Sequence, residues 1–259
     1  MDTLNQLIAY YKMFPSMAML RTLELKQFMS VRDLCAQPIL DLACGDGFMA
    51  KLAFGHSVDI GLDLNIECLK EALHQGSYRI VINADARYLP FKDKTFRTVY
   101  SNSAMEHMDD LDAILEEIAR ILTSDGISII LVPSHRFLKP VGRIAKFFGQ
   151  IIWDRYNRLQ NHVNLLDEGQ WRSILRKHGL KVKSISPYCS YAIAKYIFDL
   201  ELCGKFHFDF HWPFLHLRHL GNLGLLIGRI SLPYLKHIFA THPDSSYEGH
   251  CFMILTVKV

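Results

Sequence analysis

This sequence of 259 residues lacks the cysteine pairs, the excess of basic residues and the long apolar runs that mark several classes of protein. Its six cysteines are scattered and form no Cys-x-x-Cys pair, which argues against a zinc site of that kind and favours reduced thiols. The 29 basic residues face 26 acidic ones without a long basic run, so we expect no nucleic-acid partner.

The chain also lacks the features of a membrane-inserted or secreted protein. No uncharged apolar run reaches the ~18 residues that a membrane-spanning helix needs. The first residues contain no basic stretch followed by an apolar core, so we expect no signal peptide and a cytoplasmic protein. No repeat, low-complexity tract or linker divides the chain, which predicts one domain over residues 1–259.

The stretch 38–50 is the most informative part of the sequence. Residues 39–43 are nearly continuous in apolar side chains and predict a buried parallel strand. Gly45 and Gly47 follow, and residues 48–54 continue at a helical spacing. A strand, a tight glycine turn and a helix place the turn at the carboxyl edge of an open α/β sheet, where ligands bind.

Further strands and helices follow in alternation. Strands are predicted at 57–63, 79–82, 98–100, 127–132, 181–185 and 251–257, and a helix with Asp109 as its N-cap precedes a turn at 122–126. Residues 1–30 predict two helical pieces, and residues 167–179 predict another helix. The pattern indicates a Rossmann-like, doubly wound seven-stranded α/β sheet that is mostly parallel.

The glycine turn resembles motif I of class I S-adenosylmethionine (SAM)-dependent methyltransferases, roughly acidic-x-Gly-x-Gly-x-Gly. Asp41 is the acidic residue, Gly45 and Gly47 are the later glycines, and Ala43 stands where the first glycine usually is. The same turn also fits the dinucleotide fingerprint as Gly45-x-Gly47-x-x-Ala50, so a nicotinamide- or flavin-binding fold is the rival interpretation of this motif alone.

Two later carboxylates favour the methyltransferase interpretation. Asp63 comes 22 positions after Asp41, close to the offset of a carboxylate that binds ribose hydroxyls. Asp85 lies in a segment that resembles the one where a methyltransferase acidic side chain accepts from the adenine amino group. The resemblance implies SAM as cofactor, and the predicted cofactor-binding residues are Asp41, Ala43, Gly45, Gly47, Asp63, Leu64, Asp85, Ala86 and Asn102.

The segment 99–107 resembles the fourth-strand motif of small-molecule methyltransferases, in which a Glu-His pair lies near the reacting methyl group. His107 of that pair and His162 are the candidates for a catalytic base, because histidine titrates near neutrality. The alternative for each is a hydrogen-bonded structural histidine. Tyr100 and Tyr156 are weaker candidates for the same role.

The resemblance divides the chain into five segments. Residues 1–30 form a helical cap or lid from which Tyr11, Arg21 or Glu24 reach inward, residues 31–133 the SAM-binding core, and residues 134–189 a substrate-side segment with the sixth strand. Residues 190–248 form an insertion before an antiparallel last strand at 249–259. Aromatic residues are dense in the insertion, which favours either a self-contained cover or a pocket or membrane-surface patch for an amphipathic or lipid-linked acceptor.

The expected activity is methyl transfer from SAM to an oxygen, nitrogen or carbon of a small, hydrophobic or lipid- or sugar-linked acceptor. Two alternatives are a SAM-binding module without catalysis and a nicotinamide-dependent oxidoreductase. Five histidines lie between residues 190 and 240, but their spacing matches no standard ligand set and no carboxylate cluster accompanies them. We therefore predict no metal site.

Overall fold

A computed structural model describes residues 3–11, 15–137, 161–195, 197 and 249–259 of the chain, which contain a seven-stranded sheet flanked by helices. The helices are α1 (Thr3–Tyr10), α2 (Pro15–Met29), α3 (Phe48–Phe54), α4 (Ile66–Gln75), α5 (Leu111–Ile121) and α6 (Glu168–Lys177). The strands are β1 (Ile39–Leu42), β2 (Val58–Asp63), β3 (Tyr78–Asn83), β4 (Phe96–Asn102), β5 (Leu122–Pro133), β6 (Leu180–Tyr188) and β7 (Cys251–Lys258).

The sheet has the strand order β3-β2-β1-β4-β5-β7-β6. The first five strands of that order are parallel, and β7 is antiparallel to both β5 and β6. This arrangement confirms the predicted Rossmann-like sheet with an antiparallel last strand. The order reverses between β1 and β4, so the crevice at the carboxyl end of β1 lies where ligands bind in such sheets.

Two apolar clusters cover the two faces of the sheet. Leu40 and Leu42 of β1 pack with residues of α5 and α6 on one face, whereas Ile39 packs with residues of α1, α2 and α3 on the other. Burial on both faces explains why the first strand is nearly continuous in apolar residues. The N-terminal helices are therefore part of the main core and lie on the α3 side of the sheet.

Tyr78, the first residue of β3, fixes the packing under the glycine turn. A Cβ atom added to Gly61 would lie 2.8 Å from the Tyr78 ring, and one added to Gly47 would lie 2.8 Å from its Cε2 atom. The hydroxyl of Tyr78 donates to Asp41 Oδ2 at 2.6 Å, so the ring cannot swing away without breaking a buried hydrogen bond. Both glycines are required by the close approach of this ring.

Two predicted boundaries were wrong. The N-cap of α5 is Asp110, whose side chain accepts from the Ala113 amide, and not Asp109. The predicted turn at 122–126 is the irregular start of β5, because Leu122 already pairs with Phe96 before the regular register begins. Phe96 pairs with Leu122 and Thr98 pairs with Ile127, so β5 has more residues than β4 between these two pairs.

Some predictions concern residues outside the described ranges. These are residues 198–248 of the aromatic insertion, which include the five histidines between residues 190 and 240, and Tyr156. Among the described residues, no helix is long and apolar enough to cross a membrane.

Comparison of two glycines tests the Tyr78 packing. Gly45 and Gly47 have φ of 55° and 75°, so alanine at either position carries a similar backbone strain of about 1–2 kcal/mol. Only at Gly47 does the added methyl group also meet Tyr78 and Ser77, whereas at Gly45 it meets open space. We expect Gly47→Ala to lower the free energy of unfolding by about 1–3 kcal/mol more than Gly45→Ala, as measured by urea denaturation. Equal losses for the two variants would contradict the packing argument.

Candidate functional site

A cavity of about 240 Å³ opens at the carboxyl ends of β1, β2 and β3. Five of the predicted cofactor-binding residues line it, namely Ala43, Asp63, Leu64, Asp85 and Ala86, and so does His107. The other lining residues are Leu62, Ala84, Arg87, Met108, Asp109 and Ile114. The sheet thus brings the three predicted strand ends to one site. Small-molecule sites begin at about 300 Å³, so the cavity is large enough for part of a nucleotide-sized ligand.

Asp63 connects the glycine turn to the end of β2. Its Oδ2 atom accepts from the Gly45 amide at 2.9 Å, and its Oδ1 atom accepts from the Asn65 amide at 2.8 Å. A carboxylate has about four acceptor positions, so two remain for a ligand. Vicinal hydroxyl groups would occupy two such positions, which agrees with the predicted ribose contact.

Asp85 also lines the cavity and is paired with Arg87. The guanidinium donates to both carboxylate oxygens, with Nη2 2.6 Å from Oδ2 and Nε 3.0 Å from Oδ1. These hydrogen bonds lower the pKa of Asp85. The Asp85 carboxylate is therefore an ionised hydrogen-bond acceptor. An adenine amino group that donates to it would share the carboxylate with the Arg87 guanidinium.

Leu64 and Ala43 give the cavity its apolar surface. Leu64 is 72% exposed although it is a large hydrophobic residue, and it lies directly after β2 at the cavity. An exposed leucine beside two carboxylates suits a flat aromatic ring that must be both packed and hydrogen-bonded. Ala43 has φ of 59°, a left-handed conformation that explains why the related motif has glycine here.

Four predicted cofactor residues do not line the cavity: Asp41, Gly45, Gly47 and Asn102. Asp41 is 4% exposed and accepts from Tyr78, so it supports the turn from beneath. Burial raises its pKa to about 7, with a contribution from the nearby charge of Asp63, while the Tyr78 hydrogen bond acts in the opposite direction. Gly45 and Gly47 shape the turn through their backbone.

Asn102 is held by the N-terminal helices. Its Nδ2 atom donates to Glu24 Oε2 at 2.8 Å, and the Ser103 hydroxyl donates to the other oxygen of Glu24. Arg21 donates to the same carboxylate at 2.6 Å. Glu24 is buried, so helix α2 is attached to the end of β4 by a charged junction that is shielded from water.

Helix α1 lies against the glycine turn from the same side. The hydroxyl of Tyr10 donates to Asp46 Oδ2 at 2.6 Å, and its ring stacks on Phe48 with centroids 3.7 Å apart. The two N-terminal helices therefore contact both the glycine turn and the end of β4. Of the three side chains predicted to reach inward, Glu24 is the one that contacts the end of β4.

The two candidate bases lie together. The rings of His107 and His162 are stacked with centroids 4.9 Å apart, and Nε2 of His107 is 3.8 Å from Glu106 Oε1. Glu106 is 2% exposed, and burial raises its pKa to about 8. Of these three residues, His107 lines the cavity, so the polar cluster reaches the cavity through His107.

Sequence reasoning missed the contacts of three residues that shape the site. Tyr78 belongs to no sequence motif, and its hydrogen bond to Asp41 is visible only in the structure. Arg87 comes two positions after Asp85, where an ion pair could have been considered. Glu106 was noticed as part of a Glu-His pair, but nothing in the sequence places it beside His162.

Solved structures with a similar fold include SAM-dependent methyltransferases. A SAM-dependent methyltransferase of Thermotoga maritima is 16% identical, with a TM-score of 0.57 over 97% of this chain and 94% of that chain. A phosphoethanolamine N-methyltransferase of Haemonchus contortus, in complex with S-adenosylhomocysteine, is 19% identical, with a TM-score of 0.55 over 90% of this chain and 52% of that chain. The fold is therefore that of the class I methyltransferases.

Sequence comparison finds a family that is similar to the core of the chain. Residues 40–130 match the family described as "Methyltransferase domain". SAM is the cofactor that this similarity and the fold imply.

Two curated relatives share the same part of the chain. A malonyl-[acyl-carrier protein] O-methyltransferase of Hamiltonella defensa is 33% identical over 107 residues, which are 40% of this chain and 41% of the relative. The human mitochondrial arginine-hydroxylase NDUFAF5 is 34% identical over 94 residues, 35% of this chain and 27% of the relative. The chain thus matches less than half the length of either relative, and their names describe different reactions.

The buried Asp41 makes stability depend on pH. Its pKa is about 7 in the fold against an ordinary value of 3.8, so the unfolded chain releases this proton at a lower pH than the folded chain does. Stability therefore falls as the pH rises from about 4 to about 7, by up to about 1.4 kcal/mol per pH unit for this group.

We expect Asp41→Asn, which keeps an acceptor for Tyr78 and carries no charge, to remove that dependence. Urea denaturation at pH 4.5 and pH 7 measures it. The free energy of unfolding of the variant minus that of the parent should be larger at pH 7 than at pH 4.5. The same difference at both pH values would show that Asp41 does not titrate as described.

Proposed function

We propose that the chain is a SAM-dependent methyltransferase that binds the adenosyl part of its cofactor in the cavity at the ends of β1, β2 and β3. The observation that carries the proposal is that Ala43, Asp63, Leu64, Asp85 and Ala86 line one cavity within a methyltransferase domain. The free acceptor positions of Asp63 suit ribose hydroxyls, and the exposed Leu64 suits packing against adenine. The residues present therefore fit the cofactor.

The bound cofactor supplies an electrophilic methyl group on a positively charged sulfur. In such a displacement the protein mainly has to hold the acceptor close and in line while it excludes water. The Glu24 junction and the Tyr10 contact hold the N-terminal helices over the turn, which supports the role predicted for them as a lid. A base is needed only where the acceptor retains a proton. His107 lines the cavity and His162 stacks on its ring, which supports these two histidines as the candidates for that role.

The acceptor is proposed as a small molecule that is methylated on oxygen, nitrogen or carbon. The compared proteins are named for an O-methyl and an N-methyl transfer, so both kinds of atom are included. The aromatic composition of residues 198–248 supports a hydrophobic, lipid-linked or sugar-linked acceptor. Release of S-adenosylhomocysteine on incubation with lipid, glycan and phenolic extracts tests this directly.

The two alternative functions predict different binding results. A SAM-binding module without catalysis would bind SAM tightly and leave it unchanged with every extract. A nicotinamide-dependent oxidoreductase would bind NADH saturably and would not bind SAM. The second alternative lacks a use for Asp85, which lines the same cavity as Asp63.

Removal of the Asp63 carboxylate tests the cofactor site. We expect Asp63→Ala to weaken SAM binding by about 1.5–3 kcal/mol, because hydrogen bonds to a charged acceptor are lost. Isothermal titration calorimetry with SAM measures the change. Asp125→Ala is the control, because Asp125 is an exposed carboxylate near the amino end of β5, whereas the cavity lies at the carboxyl ends of β1, β2 and β3. Unchanged affinity in Asp63→Ala would remove Asp63 from the site.

The histidines are tested by separating turnover from cofactor binding. We expect His107→Ala and His162→Ala each to lower turnover with an active extract, while the calorimetric affinity for SAM stays within about threefold. The reason is that the proposed ribose and adenine contacts come from Asp63 and Asp85 and not from either histidine. Normal turnover in both variants would exclude both as catalytic residues. A matching loss of SAM affinity would instead assign them to cofactor binding.

A further inference from the structure

Glu106, His107 and His162 form a cluster of potential metal ligands. Each side chain offers one ligand atom, and the three atoms lie within 4.8 Å of one another. We propose that this cluster binds a divalent transition-metal cation through the Glu106 carboxylate and the two imidazoles. The prediction of no metal site considered the histidines between residues 190 and 240 and the absence of carboxylates near them. It did not include this cluster, in which His162 comes 55 residues after His107.

The chemistry of the donors selects the kind of cation. Two imidazole nitrogens and one carboxylate oxygen suit Zn²⁺, Mn²⁺ or Fe²⁺, and a site with three protein ligands leaves positions open for a substrate. Mg²⁺ prefers oxygen ligands and retains its water molecules, so it fits this donor set less well. The set therefore points to a transition metal.

The orientation of His107 supports a ligand role. Its Nδ1 atom is 3.2 Å from the carbonyl oxygen of Asn161, which can only accept a hydrogen bond. Nδ1 therefore carries the hydrogen, and the lone pair is on Nε2, the atom that faces Glu106. A histidine that donates one ring N–H to a backbone carbonyl and presents the other nitrogen is the usual arrangement of a metal ligand.

The distance between the two facing atoms also fits a shared cation. Nε2 of His107 and Oε1 of Glu106 are 3.8 Å apart, which is too long for a hydrogen bond. Two atoms that each lie about 2.1 Å from one metal ion are at most about 4.2 Å apart. A cation therefore fits between these atoms without a change of the backbone.

Glu106 supplies an independent argument. The residue is 2% exposed, and its Oε2 atom has no hydrogen-bond partner in the described part of the chain. A buried carboxylate oxygen without a donor is costly, and such groups in native proteins call for an explanation such as a bound ion. A cation at this cluster would compensate the carboxylate.

The segment that carries His162 is fixed to the turn that carries His107. The amides of Val163 and Asn164 donate to the Glu106 carbonyl at 2.7 and 3.1 Å. The Asn164 side chain donates to the carbonyls of Met105 and Met108 at 2.9 and 2.6 Å. These four hydrogen bonds hold the ligands in place before a cation binds, which lowers the entropic cost of binding.

The site also suggests a use, and this use rests on the proposed function. His107 lines the cofactor cavity, so an open position on the cation would face the space where an acceptor must lie. An acceptor oxygen bound to the cation would lose its proton more readily. The histidines would then hold the cation instead of accepting that proton directly.

Cation binding itself is tested on the full chain without cofactor or acceptor. The protein is stripped with a chelator and titrated with Zn²⁺ and with Mn²⁺ by calorimetry, and the parent is compared with Glu106→Gln, His107→Ala and His162→Ala. His56→Ala is the control, because His56 is an exposed histidine that contacts Ser57 outside the cluster. Circular dichroism checks folding, and His107 is partly exposed, so its truncation leaves no buried cavity.

We expect the parent and His56→Ala to bind one equivalent of cation at this cluster. Each cluster variant should bind at least about 10- to 100-fold more weakly, the loss seen when even an outer partner of a metal ligand is removed. The chain has 13 histidines, so equal affinity in the parent and the cluster variants would place the cation elsewhere and overturn the proposal. The absence of binding would overturn it too. S-adenosylhomocysteine binding, measured on the same samples, reports on the proposed function separately.

Discussion

The hydrogen bond from the Gly45 amide to the Asp63 carboxylate determines the shape of the proposed cofactor site. It attaches the turn after β1 to the end of the neighbouring strand, and residues of both, Ala43 and Asp63, line the cavity. The same carboxylate still has acceptor positions for a ligand. Asp63 is thus both a structural contact and the first candidate for ligand binding, and cofactor affinity and loop order are expected to change together.

Support for this turn comes from beneath and from the side. Tyr78 packs against Gly47 and donates to Asp41, which couples the acidic residue of the motif to the first residue of β3. The N-terminal helices contact the turn through Tyr10 and the end of β4 through Glu24. Because these contacts are buried or stacked, the site is held by tertiary packing from four different elements and not by the glycine motif alone.

The sequence was sufficient for the sheet and for half of the residues that line the cavity. Strand ends are marked by Asp63 and Asp85, and parallel strands bring their carboxyl ends to one edge, so two residues that are 22 apart along the chain were predicted to share a site. Asp41 and Asn102 have the expected places in the motifs, but their side chains contact Tyr78 and Glu24 and do not line the cavity. These partners follow from three-dimensional packing.

The histidines show the same division. His107 could be selected because it follows the fourth strand at the crevice, and His162 because it lies just before the helix at 167, where resembling enzymes often have a histidine near the substrate. Their stacking on one another, and the buried Glu106 beside them, depend on how the segment 161–164 returns to the turn at 105–108. No local pattern contains that information, which is why a cluster with the donors of a metal site was missed.

The central claim is the location of the adenosyl group, and a crystal structure of the chain with S-adenosylhomocysteine tests it most directly. The account predicts that the ribose hydroxyls lie within hydrogen-bond distance of Asp63 and that the adenine ring lies between Leu64 and Ala86, beside Asp85. A nucleoside bound at another place, or no bound nucleoside at saturating concentration, would contradict the account.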